Sequence, residues 1–152
     1  MLSTFEFNTK NGEILGISNV EEYKDIQPEG NYIVLNDLDF RGEKNAAGAA
    51  GLRTSSNVHF QGTINFNGHT VYRRYTNGSN YELFSYIGTQ GRIENLVFKV
   101  YLTNSLPTTG VNLCYENNGV ISNITISVEE SKKNINETIA LLASLCIIIS
   151  SP

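Results

Sequence analysis

The chain has 152 residues, 40% of them hydrophobic and 17% charged, with a formal net charge of −4. That length suffices for one domain with a core, and the composition excludes a disordered chain and argues against a long helical bundle. The negative balance provides no basic face, so nucleic acid is not an expected partner.

With 13 Gly, 8 Tyr, 7 Phe and no Trp, the mix favours β structure with many turns. The start, MLSTFEFNTKNGE, lacks the basic region and apolar run of a signal peptide. Residues 1–17 read as a β arm or lead-in. In ISNVEEYKDI, Ser18 can cap a helix with Glu21 three residues on, and Val20, Tyr23 and Ile26 share a face. Pro28 and Gly30 end it. The spacing predicts a helix over 18–30 that caps the β region after it, so residues 1–30 form an N-terminal arm and cap.

From residue 31 the signals are β. Tyr32 to Leu35 is a β-rich run, continued with alternation through Asp37, Leu38, Asp39 and Phe40. RGEKNAAGAAGLRTSSN (41–57) is a loop of small residues without the Gly-Lys-Ser/Thr ending of a phosphate loop. In FQGTINFNGHTV (60–71), Asn67-Gly68 supplies the positive φ angles of a tight turn between two strands, a turn or hairpin, with His69 bonding locally or facing solvent.

LFSYIGTQGRIENLVFKV (83–100) aligns with NLCYENNGVISNITISV (112–128) across one gap. Tyr86 meets Tyr115, and Gly91 meets Gly119. Ile93, Asn95, Leu96, Phe98 and Val100 then meet Ile121, Asn123, Ile124, Ile126 and Val128 at the same spacing as the glycines. A repeat of this period made of short strands predicts a β-solenoid with turns of about 28 residues over 31–152. LCIIISSP (145–152) reads as the start of a further turn that stops at Pro152, leaving an open β edge prone to self-association. The chain is therefore expected to be a piece of a longer protein. The apolar tail Ile139 to Ile149 is shorter than the roughly 20 residues of a membrane span, so no membrane insertion is expected. Cys114 and Cys146 read as buried small hydrophobes, with a disulfide as the alternative.

NYIVLNDLDF, FQGTINFNGHTV and LFSYIGTQGRIENLVFKV together resemble the right-handed parallel β-helix region, with GLUG-type repeats, of extracellular bacterial proteins. The order of parts also resembles the N-terminal region of the zinc metallopeptidases that cleave immunoglobulin A1. The resemblance covers about residues 18 to 128. Phe66 stands where many relatives have Gly, Val71 replaces Ile, and Leu113-Cys114 replaces Leu-Phe. It implies a secreted or cell-surface location, an all-β fold and a scaffold or recognition role for this stretch, with any catalytic domain elsewhere.

Asp37 and Asp39 lie two apart on one strand face and could serve glycoside chemistry, which makes a polysaccharide-degrading β-helix enzyme one alternative. A phage tail-spike segment is another. His59 and His69 form no zinc motif. No catalytic residue, cofactor or metal is expected. Tyr72, Arg73, Arg74, Tyr75 and Tyr81 form an aromatic and basic cluster suited to contact with a host protein or glycan.

Overall fold

A computed structural model of the chain describes residues 3–5, 13–42, 58–75, 83–102 and 113–130. It is all-β in character, with ten strands and one short helix among the described residues. In chain order these are β1 (Ser3–Phe5), β2 (Ile14–Ile17), α1 (Val20–Lys24), β3 (Asn31–Val34) and β4 (Leu38–Asp39). They are followed by β5 (Thr63–Asn65), β6 (Thr70–Tyr75), β7 (Phe84–Ile87), β8 (Arg92–Leu102), β9 (Cys114–Asn117) and β10 (Val120–Glu130).

The pairing is largely parallel. Ile14 lies opposite Asn31, Asn31 opposite Thr63, Thr63 opposite Arg92 and Arg92 opposite Val120. The step in sequence is shortest from Ile14 to Asn31, longest from Asn31 to Thr63, and nearly constant over the last two. The second half of β8 pairs with β6, which pairs in turn with β4. β7 and β9 make a separate two-stranded sheet, and Phe60 bridges to Ile87 in the same parallel sense. β1 is the exception, antiparallel to β2 at the N-terminal end of the large sheet.

Several sequence expectations change in detail. The helix is five residues rather than 18–30, and Asn19, not Ser18, is its cap. Glu22 N–H donates to Asn19 Oδ1 (2.9 Å), and Glu22 Oε2 accepts from Ser18 N–H (2.7 Å). Either residue is a competent cap, so residue type alone does not fix which of the two neighbours takes the role. The helix links β2 to β3, whereas β1 forms the end of the sheet. Residues 14–17, read as a lead-in, belong to the parallel pairing.

Between β8 and β10 the register of the repeat holds as expected: Ile93, Leu96, Phe98 and Val100 pair with Ile121, Ile124, Ile126 and Val128. Between β7 and β9 it does not. Tyr86 pairs with Glu116, the residue after Tyr115, because the link from β9 to β10 is shorter than that from β7 to β8. The 60–71 segment is a corner, not a hairpin: β5 and β6 both pair with β8 and not with each other. Glu129 and Glu130 end β10. Cys114 is buried, while Cys146, the tail from Ile139 and the further turn at 145–152 lie outside the described residues.

One column of glycines explains why the strands can stack at this corner. Gly30, Gly62, Gly91 and Gly119 each precede the residue where pairing starts. Thr63, Arg92 and Val120 donate to the carbonyls of Gly30, Gly62 and Gly91 (3.1, 2.9 and 2.9 Å). A Cβ on Gly62 would strike the Gly30 carbonyl, and one on Gly119 would strike that of Gly91. The next corner uses asparagine. Asn67, Asn95 and Asn123 all have left-handed backbone (φ 54, 58 and 54°), a conformation Asn tolerates better than most residues. Asn123 Nδ2 donates to Asn95 Oδ1 (2.7 Å), and Asn95 Nδ2 donates to Asn65 Oδ1 (3.0 Å). At Asn95 the alternation of β8 breaks: Ile93 and Leu96 are both buried, with two outward residues between them. The core runs along the strands, from Ile17 and Tyr23 through Phe66, Phe98 and Val100 to Ile121.

Candidate binding surface

Strand geometry divides the cluster expected at residues 72–81. On β6, Tyr72 is half-buried on the outer face, Arg73 is fully buried, and Arg74 is exposed. The Tyr75 side chain and all of Tyr81 lie outside the described residues. Consecutive strand residues point to opposite faces, so Tyr72, Arg73 and Arg74 cannot form one contact surface.

Arg73 belongs to the core. Its guanidinium lies 5.6 Å from the centre of the Phe40 ring and close enough to the Tyr23 hydroxyl to act on it electrostatically. Burial pushes the Tyr23 phenol far above its ordinary value, and the Arg73 charge opposes that only in part. Tyr23 also packs edge-on against Phe40 at 5.3 Å. A buried cation of this kind is accommodated by aromatic faces rather than presented to a ligand.

The outer face gathers a different set around Tyr72. Parallel register places Tyr72 beside Asp39 on β4 and Lys99 on β8, and Arg74 beside Tyr101. The Tyr72 and Tyr101 rings stack at 6.4 Å with 27° between their planes. The Arg41 guanidinium lies over both, 4.8 Å from the Tyr72 centroid and 5.1 Å from that of Tyr101. Lys99 Nζ lies 6.0 Å from the Tyr72 centroid. Arg41, Lys99 and Tyr101 are distant from Tyr72 in sequence, so grouping neighbours along the chain does not find them. The repeat period carries the signal: one period forward from Tyr72 leads to the neighbourhood of Lys99.

Asp37 and Asp39 are each engaged with their own partner. Asp39 accepts from Arg41 through Nε (2.8 Å), Nη2 (2.6 Å) and the backbone N–H (3.0 Å). The Arg41 hydrogen bond holds the Asp39 carboxyl below its ordinary range, which suits an anchor and not a proton donor near neutral pH. Asp37 accepts from Thr70 N–H (2.8 Å) and lies 3.3 Å from His69 Nδ1. His69 follows the Asn67-Gly68 turn, and its N–H donates to the Phe66 carbonyl (2.8 Å). The Asp37–His69 pair thus ties the corner after β5 to the segment between β3 and β4. Among the described residues no three His, Cys, Asp or Glu side chains converge as metal ligands would. No helix among them is long and apolar enough to cross a membrane.

Comparison with protein-family models, curated proteins and solved structures finds no match for this chain.

Proposed function

We propose that the chain is a stretch of right-handed parallel β-helix, a solenoid with turns of about 28 residues. In this reading it is a non-catalytic scaffold and recognition domain of a secreted or surface-anchored bacterial protein. The observation that carries it is the succession of parallel pairings from β2 through β3, β5 and β8 to β10, with a column of stacked glycines at the entry to the strands. A strand, crossover and parallel strand in one sheet is right-handed in about 98% of cases, which supplies the hand. The sequence resemblance supports an immunoglobulin A1 protease-type metallopeptidase as the parent, with its zinc site elsewhere.

Such a coil resists bending because every turn is bonded to its neighbours, which suits a spacer. Recognition of host protein or glycan falls to its outer side, where Arg41, Tyr72, Lys99 and Tyr101 present aromatic faces and cations together. Fold alone decides no function, so binding must be tested directly.

The stacking is tested with Val97→Cys paired with Thr125→Cys. These residues are Cα partners on neighbouring strands. Parallel neighbours lie about 4.8 Å apart, within disulfide reach. Oxidation should close the bond, and Lys99→Cys with Thr125→Cys, displaced by two residues, should not cross-link. The reverse pattern would sink the register. For recognition, retention of host glycoproteins on the immobilised chain should weaken with Tyr72→Ala. A stable trimer in solution would favour the tail-spike alternative.

A further inference from the structure

We propose that the flank carrying β7 and β9 holds a second recognition site, a cleft for an uncharged sugar ring of a glycan. This rests on the recognition reading above and places a ligand on a different sheet from Tyr72. The Phe60–Ile87 bridge and the Tyr86–Glu116 pairing bring three outward rings into a row across neighbouring strands. His59 stacks on Tyr86 at 5.4 Å with 14° between the planes, and Tyr115 meets Tyr86 edge-on at 5.5 Å.

Two observations set this row apart. Among the described residues, Val58 and Tyr115 are the large hydrophobics left exposed, at 45% and 67%; Tyr115 ends the row, and Val58 lines the cavity beside His59. A lone exposed apolar residue needs no explanation, but a contiguous row does. Beside His59 the surface also opens into a cavity of about 400 Å³, lined by Pro28, Glu29, Val58, His59 and Gln61. That volume is within the range of small-ligand sites.

The chemistry of the walls selects the ligand. Flat ring faces accept the apolar C–H face of a pyranose. The Glu29 carboxylate accepts from hydroxyl groups. Gln61 is oriented by Gln90 N–H, which donates to its Oε1 (2.9 Å), so Nε2 is the end that can donate to a ligand. None of the five lining residues is Lys or Arg, and the carboxylate among them opposes an acidic sugar or a phosphate. A protein partner would need about 800 Å² of complementary surface, far more than one cleft and three rings supply.

The test uses the whole chain on an array of neutral and acidic glycans, then calorimetry with the best neutral oligosaccharide. Neutral glycans should bind with little salt dependence. His59→Ala and Glu29→Ala should each weaken binding about tenfold, the loss expected for one stacking face or one hydrogen bond to a charged group. Thr125→Ala, on the exposed side of β10, should leave it unchanged. The melting temperature checks that each variant folds. Neutral binding that survives both substitutions overturns the cleft, as does the absence of neutral binding. Binding confined to acidic glycans and lost with Arg41→Ala overturns the cleft but keeps the recognition reading. Failure to bind any glycan or host glycoprotein overturns both.

Discussion

At the scale of single residues, two side chains show how the corner and the core are constrained. Gly62 has no room for a Cβ, because the Gly30 carbonyl lies where it would go, and that atom is backbone fixed by Thr63 N–H. Gly62→Ala should therefore lower stability by about 2–3 kcal/mol, the cost of overpacking a close contact. Gly42→Ala, with nothing within 4 Å of the new methyl, should leave stability nearly unchanged. Urea midpoints compare the two directly, and equal midpoints would remove the glycine column from the account of stacking. Tyr23 gives the opposite sign. Its buried hydroxyl has no hydrogen-bond partner among the described residues. Tyr23→Phe should hold stability or raise it by about 1 kcal/mol. The same residue predicts an alkaline limb. Burial keeps its proton on in the fold, whereas the unfolded chain releases it near pH 10, so stability is complete below that pH and falls above it. Tyr32, also raised by burial, contributes in the same direction. In Tyr23→Phe the fall above about pH 10 should be shallower. A loss of more than about 1 kcal/mol at neutral pH would mean that the hydroxyl does bond, with Arg73 the first group to examine.

At the scale of elements, the β8–β10 pairing is legible in sequence because both strands carry the same apolar spacing, Ile-x-Asn-apolar, in constant register from Ile93 and Ile121 onward. The same corner is harder to read in EGNYIV and QGTINFN, although each carries a column glycine. The step from Asn31 to Thr63 is a few residues longer than the later ones, so a fixed-period comparison misses it. The Tyr72 surface is hidden for a related reason. A strand sends sequence neighbours to opposite faces and draws its outer companions from the strands beside it. The register makes a graded prediction. Leu96 is 1% exposed, and its partner Ile124 is only partly buried. Leu96→Asp should cost more than about 4 kcal/mol by placing an unpaired charge in the core, enough to unfold a marginal domain. Ile124→Asp should cost distinctly less. Circular dichroism melting separates them, and equal melting temperatures would mean that the two strands are not stacked in depth as described.

At the scale of the whole molecule, strands differ in how many neighbours hold them. β8 is bonded on one side to β5 and β6 and on the other to β10. Among the described residues β10 pairs with β8 alone, and β1 pairs with β2 alone. A strand bonded on one side opens more readily than one bonded on both, so opening should begin where a strand has one neighbour and reach the doubly bonded strand last. Native-state hydrogen exchange should then be graded. The amides of residues 93–102 should exchange slowest, through openings that approach global unfolding. Amides of residues 121–130 that face β8 should be intermediate, and those of residues 3–5 fastest. The gradient should also respond to the corner: Gly62→Ala, at the interface of β3 with β5, should release β3 more than β10. A single exchange rate constant across all strands, shifted uniformly by that substitution, would describe one cooperative unit and contradict this graded opening.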